Sequence, residues 1–196
     1  MVVCEDIKTI FIAVPKTGTR TIYDVLDKNF NTIHLEDHRV NVPDKYKNYF
    51  TFITKRNPYD RFVSIWWSTT NRSKTIKRKN LRDLMGSDKS IHKFCKIFPK
   101  IYNTEPIFRS QTIYTNNKID KILDFDNLEN DFLDLDFIKN INVKNIPFLN
   151  VTDGQKKDDI KERIYRNNWS QYIDEKVKET VMKYYTEDFN HFNYKI

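Results

Sequence analysis

A basic loop near the N-terminus has the composition of an anion-binding turn. It follows an apolar, β-branched run over 7–14 that predicts a buried strand, and it precedes a predicted helix over 19–30. The loop reads Pro15-Lys16-Thr17-Gly18-Thr19-Arg20-Thr21. Backbone N–H groups at such a turn bind anions, Gly18 would let the backbone approach a phosphate, and Lys16 adds a positive charge. The threonine hydroxyls could donate further hydrogen bonds.

The loop differs from a Walker A loop, in which a lysine directly follows the second glycine. Here Lys16 precedes Gly18 by two residues. An ordinary turn between a strand and a helix is therefore the simpler alternative, and the loop alone does not decide between the two.

A second basic segment follows the next predicted strand, over 49–55. It reads Arg56-Asn57-Pro58-Tyr59-Asp60-Arg61-Phe62-Val63-Ser64. Arg56 at the strand end could form paired hydrogen bonds to a phosphate, and Ser64, about two helical turns further on, could donate one more. Pro58 is typical of the first turn of a helix, which we predict over 59–68. The alternative is an exposed helix start in which Arg61 pairs with Asp60 or another acid.

The alternation of strand, loop and helix predicts the fold class. We expect an α/β fold of three layers, with a central parallel β-sheet of about four or five strands flanked by helices, in a single domain over 1–196. The phosphate-binding loops would converge at the carboxyl ends of the strands. Further predicted elements are strands over 31–35 and 118–125, helices over 127–139 and 173–185, and broken helices over 69–100.

The two basic segments, in this order and about forty residues apart, resemble those of the sulfotransferases that use 3′-phosphoadenylyl sulfate (PAPS). They resemble especially those of the Golgi carbohydrate sulfotransferases and their small microbial and viral relatives, and this resemblance implies a P-loop-like fold. Three later segments extend the resemblance over nearly the whole chain: Phe108-Arg109-Ser110-Gln111, the strand and helix start over 119–132, and the Tyr-x-x-Asp-Phe ending over 184–194. Arg20 departs from the small residue of many members, and Asp126 replaces the usual Glu.

This resemblance implies a role for each matching residue. Lys16 would contact the bridging oxygen of PAPS and stabilise charge on the leaving phosphate. Arg56 and Ser64 would hold the 3′-phosphate, which distinguishes PAPS from ATP-like donors. The 5′-phosphate would lie in the loop made by Pro15, Lys16, Thr17, Gly18, Thr19, Arg20 and Thr21. The product would be 3′,5′-ADP, and no metal would be required.

The acceptor hydroxyl needs a general base, and histidine is suitable because its unperturbed pKa lies near neutrality. His38, His34 and Glu36 lie between the first helix and the strand before Arg56. Many carbohydrate sulfotransferases place a histidine here, and His38 best matches its distance from the later motif. His34 and Glu36 stay open as alternatives, as does a loop histidine without a catalytic role.

The charge distribution favours an anionic partner. The chain carries a formal net charge of +7, and the stretch 71–100 holds ten Lys or Arg against two acids. Such a block could attract a nucleotide, a nucleic acid, a glycan or an anionic membrane, or it could be a solvated helical face. With the resemblance, a carbohydrate hydroxyl is the expected acceptor, and no specific nucleic acid partner is expected.

Two rival functions fit parts of this pattern. A nucleotide or sugar kinase with a degenerate phosphate loop would bind ATP with Mg²⁺, but no metal-holding Asp is recognisable in the sequence. A non-catalytic basic module would bind nucleic acid or anionic glycan with strong salt dependence.

The cysteines and apolar runs bear on the compartment. Cys4 and Cys95 lack the spacing of a disulfide framework, so free thiols in a reducing compartment are expected. The N-terminus has no apolar signal region, and no apolar run approaches the ~20 residues that span a bilayer. We therefore expect a soluble, cytoplasmic protein without a membrane span; the oligomeric state is open.

Overall fold

The structure, a computed structural model, describes residues 1–36, 38–72, 79–141, 143 and 169–196, without the side chains of 71, 72, 79, 80 and 82. These residues divide into two compact units. The first comprises Met1–Arg56 with the described part of Gln111–Lys156, and the second comprises Asn57–Ser110 with the described part of Lys157–Ile196. The expectation of a single domain over 1–196 stays a prediction.

Five strands form the sheet of the first unit, in the order β3-β1-β2-β4-β5. The strands are β1 (Val2–Cys4), β2 (Thr9–Ile12), β3 (Thr32–His34), β4 (Phe50–Lys55) and β5 (Lys121–Asp124). The neighbours β2–β4 and β4–β5 are parallel, whereas β1 pairs antiparallel with both β2 and β3. The expected parallel sheet is therefore correct for β2, β4 and β5 and wrong for β1 and β3, and the sheet is mixed.

The antiparallel part follows from a strand that sequence analysis did not predict. Only the short turn 5–8 separates β1 from β2. A connection this short joins antiparallel neighbours, because a parallel pair needs a crossover of a dozen or more residues. Lys8 closes the turn with a positive φ of 47°.

Helices connect the strands and build the second unit. In chain order they are α1 (Thr19–Asn29), α2 (Pro58–Trp67), α3 (Lys79–Met85), α4 (Ile91–Ile101), α5 (Leu128–Leu133), α6 (Asp136–Lys139) and α7 (Glu175–Phe192). The helix predicted over 127–139 is interrupted at Leu135, whose extended backbone separates α5 from α6. The last helix is longer than predicted and carries non-helical torsions at Tyr185.

In the first unit, α1, α5 and α6 pack on one face of the sheet. The buried cluster combines apolar side chains from the sheet with those of the helices: Val2, Cys4, Phe11, Ala13, Ile22, Val25, Leu26, Phe52, Leu123, Leu128, Phe132, Leu135 and Ile138. This packing sets α1 directly after the loop that follows β2. The α/β class is thus correct, while the three-layer arrangement stays a prediction.

The second unit has an aromatic core of its own. Phe62 of α2 contacts Phe94 and Phe98 of α4, with ring centroids 5.4 and 5.1 Å apart. Tyr185 of α7 is fully buried and donates from its hydroxyl to the Phe108 carbonyl at 2.6 Å. The Phe62 and Tyr185 rings also lie 6.4 Å apart, so α2 packs against both α4 and α7 within this unit.

The described residues also bear on the membrane and thiol expectations. No helix among them is both long and apolar enough to cross a bilayer. Cys4 and Cys95 are free and buried, so the expectation of free thiols is confirmed.

Candidate functional site

The loop after β2 presents the N-terminus of α1. Gly18 precedes the first helical residue with a left-handed backbone (φ 86°), and Lys16 also has a positive φ, of 72°. Gly18, which occupies the N-cap position, has no side chain that could cap the helix start. Since the first N–H groups of a helix have no partner within it and carry the positive end of the helix dipole, this terminus can hold an anion.

Gly18 packs closely against the 125–128 region, so a side chain at this position would require Leu128 to shift. A Cβ atom built at Gly18 would lie 2.7 Å from Cδ2 of Leu128 and 3.3 Å from the Phe125 ring. The glycine therefore serves both the left-handed backbone and the close approach of the loop to Leu128.

The threonine hydroxyls of the loop face inward. Thr17 and Thr19 both donate to the carbonyl of Val14, at 2.8 and 2.9 Å, and the Thr17 hydroxyl also forms a hydrogen bond with that of Thr54 on β4. Thr17 and Thr21 are buried and Arg20 is exposed. The Thr17 and Thr19 hydroxyls thus form hydrogen bonds within the protein, and their part in anion binding stays a prediction.

Arg56 joins the second motif to the first. Its Nη1 donates to the carbonyl oxygen of Lys16 at 2.9 Å, and its guanidinium carbon lies 4.1 Å from the centre of the Phe125 ring. The contact follows from the parallel pairing of β2 with β4, which sets the carboxyl ends of both strands at one edge. The two basic motifs, predicted separately, thus meet in the first unit.

Gln111 holds the backbone of Arg56 in place. Its amide Nε2 donates to the Arg56 carbonyl at 2.9 Å, and its Oε1 accepts from the Arg56 N–H at 3.0 Å. The Gln111 side chain is fully buried. In the sequence, Gln111 stands out only through the resemblance. The ring of Phe125, which stacks on Arg56, was not predicted; its position directly after β5 was the available signal.

His38 lies beside the loop that follows β2. Its ring nitrogen Nδ1 is 3.1 Å from the carbonyl oxygen of Ala13, and its φ is 56°. Because a carbonyl can only accept, Nδ1 must carry the proton of this hydrogen bond. In the neutral ring the lone pair then belongs to Nε2, which is the form a general base requires.

A family model described as "Sulfotransferase family" matches residues 1–195. The chain belongs to the sulfotransferase family. No curated protein and no solved structure matches it significantly. The family match favours sulfuryl transfer over the kinase and the non-catalytic basic module.

The two other candidate bases of this sulfotransferase make different contacts. His34 is exposed on the edge strand β3, and its Nε2 lies 2.8 Å from Asp27 Oδ1 near the end of α1, away from the helix start. The Glu36 side chain is exposed, and its backbone carbonyl accepts from the N-terminal ammonium at 3.4 Å. Of the three, His38 is the one with a described hydrogen bond to the residues leading into the loop.

The remaining motif residues of the sulfotransferase belong to the second unit. Ser64 lies on α2 with a buried side chain, and its part in phosphate binding stays a prediction. Arg61 is fully buried, donates to the Ile107 carbonyl at 3.1 Å and lies over the Tyr185 ring. The suggested exposed helix start around Arg61 is therefore wrong, because Arg61 is part of the core.

Two further expectations are only partly covered by the described residues. Part of the basic block over 71–100, residues 73–78, lies outside them, while α4 carries Lys96 and Lys100 on an exposed face. No group of three or more His, Cys, Asp or Glu suited to a metal ion occurs among the described residues. Independence from a metal stays a prediction.

Proposed function

We propose that this sulfotransferase, with a three-layer P-loop-like fold, transfers a sulfuryl group from PAPS to a carbohydrate hydroxyl. The observation that carries the proposal is the 2.9 Å hydrogen bond from Arg56 to the Lys16 carbonyl, since it joins both basic motifs at the start of α1. A donor with phosphates at both the 5′ and the 3′ positions needs two such cationic contacts close together.

The first step is donor binding. The 5′-phosphate would bind the N–H groups of the loop and the start of α1, with Lys16 beside the bridging oxygen. Arg56 would bind the 3′-phosphate, and the resemblance adds Ser64 as a second donor. The guanidinium of Arg56 is held by the Lys16 carbonyl and the Phe125 ring, so little of its side-chain freedom would be lost on binding.

The second step is transfer of the sulfuryl group. The acceptor oxygen attacks sulfur in line with the bond from sulfur to the bridging oxygen, which breaks as the new S–O bond forms. Nε2 of His38 takes the acceptor proton, and the leaving group is 3′,5′-ADP. Lys16 stabilises the negative charge that develops on its phosphate, so positioning and electrostatics supply most of the catalysis.

The acceptor class is tested by label transfer. The protein would be incubated with PAPS labelled at sulfur and with one of three probes: an unsulfated glycosaminoglycan, a neutral polysaccharide or a simple phenol. We expect label on a polysaccharide, with the Lys16→Ala variant as the control that removes it. Label on the phenol alone would contradict a carbohydrate acceptor.

A further inference from the structure

We infer that Gln111 and Asn117 are positioning residues that hold, respectively, the donor-binding arginine and the segment of the general base. Both belong to the segment 111–117, which begins as a tight helical turn over Gln111–Thr115 and leads toward β5. The inference rests on the proposed function, because it takes Arg56 as the residue that binds the donor and His38 as the general base. Gln111 would affect donor binding, and Asn117 would affect the base.

Gln111 acts on Arg56. Its amide pairs with both the N–H and the carbonyl of Arg56, at 3.0 and 2.9 Å, directly after the end of β4. A buried amide that matches both backbone groups fixes the peptide orientation and therefore the direction in which the arginine side chain leaves the backbone. Removing it would free the main chain that sets Arg56 against the Lys16 carbonyl.

Asn117 acts on the segment after His38 in the same way. Its Nδ2 donates to the Val40 carbonyl at 2.7 Å, and its Oδ1 accepts from the Val42 N–H at 3.1 Å. Two residues earlier, His38 has a left-handed backbone, which a non-glycine residue keeps only when its surroundings hold it. The Asn117 contacts and the Ala13 carbonyl thus fix the main chain and the ring of this segment.

The two amides have separable effects. The Gln111 amide bonds the backbone of Arg56, whereas the Asn117 amide bonds the backbone of Val40 and Val42, two and four residues after His38. Loss of Gln111 should therefore weaken binding of the nucleotide while leaving the His38 ring unchanged. Loss of Asn117 should change the state of the His38 ring while leaving nucleotide binding unchanged.

Two measurements on the full chain separate these effects. Calorimetric titration with 3′,5′-ADP reports the donor site, and a long-range nitrogen–proton correlation spectrum reports the tautomer of His38, assigned by its loss in His38→Ala. We expect Gln111→Ala to raise the Kd for 3′,5′-ADP about tenfold or more and to keep the Nδ1–H tautomer. We expect Asn117→Ala to keep the Kd within about twofold and to populate the Nε2–H tautomer.

Asp120→Ala is the matched control. Asp120 also joins this part of the chain to β4, since its Oδ2 accepts from the Thr51 N–H at 2.9 Å, but it does so at the opposite end of the strand. It should leave both readouts unchanged. Equal changes in all three variants would overturn the inference in favour of general loosening, as would unchanged readouts in Gln111→Ala and Asn117→Ala. A wild-type protein that does not bind 3′,5′-ADP would instead overturn the proposed donor site, while the tautomer would still test the role of Asn117.

Discussion

Nη1 of Arg56 donates to the backbone carbonyl of Lys16 at 2.9 Å, although forty residues separate the two along the chain. This bond connects the loop after β2 with the end of β4, and Phe125 at the end of β5 lies against the same guanidinium. Three parallel strands thus contribute to one cationic corner at the start of α1. This corner is the proposed donor site.

Lys16→Ala should lower turnover by about a hundredfold or more, because it removes a preorganised charge beside the breaking bond. Lys16 is half-buried at the loop surface, so the melting temperature should change little. The measurement is the steady-state rate with PAPS beside a thermal unfolding curve. Lys55→Ala is the matched control, and it should keep turnover near the wild-type rate. Lys55 directly precedes Arg56 in the chain, and its Nζ pairs with Asp124 Oδ2 at 3.2 Å. Near-wild-type turnover in Lys16→Ala would refute the role of this lysine.

His38→Ala should lower turnover by about a hundredfold or more and leave the Kd for 3′,5′-ADP unchanged, because a general base acts on the acceptor and not on the nucleotide. The assay combines the rate of label transfer with calorimetric titration. His34→Ala is the control, since His34 is exposed and pairs with Asp27. If His34→Ala lost turnover and His38→Ala did not, the base would have been assigned to the wrong histidine.

Gly18→Ala should destabilise the protein more than Gly86→Ala does. Both glycines have positive φ values, 86° and 61°, so each alanine carries a backbone cost of about 1–2 kcal/mol. At Gly18 the new methyl group would also overlap a side chain, with Leu128 Cδ2 at 2.7 Å, whereas at Gly86 no atom of the described residues lies within 4 Å of it. Denaturant unfolding gives both free energies, and weaker 3′,5′-ADP binding should accompany Gly18→Ala alone. Equal destabilisation would show that the close approach is unimportant.

The two thiols should resist alkylation in the folded protein. Burial, with smaller contributions from Asp6 and Asp27, raises the pKa of the Cys4 thiol to about 12, and burial also raises the pKa of Cys95. The thiolate is the reactive form, so at pH 8 both should react with iodoacetamide far more slowly than in denaturant. Mass spectrometry of the native and the unfolded protein measures the difference, and rapid labelling of the native protein would contradict the burial of these side chains.

The sequence predicted the parts of the site that depend on local pattern. The helices α1 and α2 and the strand β4 lie within one or two residues of their predicted bounds, because apolar runs and the proline start signal determine them. The convergence of the loop with Arg56 followed from the parallel pairing of β2 and β4. These are the features for which periodicity and strand direction carry the information.

Features that leave no periodic pattern and no marker in the residue types could not be predicted in this way. Strand β1 has only three residues, too few for a periodic pattern, and its hairpin makes the sheet mixed. The Thr17 hydroxyl is committed to the Val14 carbonyl, a local bond that competes with any ligand and has no marker in the residue types. The amide contacts of Gln111 and Asn117 join segments 55 and 75–77 residues apart.

The most direct test of the central claim is calorimetric titration of the wild-type protein with 3′,5′-ADP and with 5′-AMP, repeated in Arg56→Lys. A 3′-phosphate contact predicts much tighter binding of 3′,5′-ADP than of 5′-AMP. The preference should shrink in Arg56→Lys, because a lysine keeps the charge but loses the two-pronged geometry of the guanidinium. Equal affinity for the two nucleotides in the wild-type protein would contradict the proposed PAPS site.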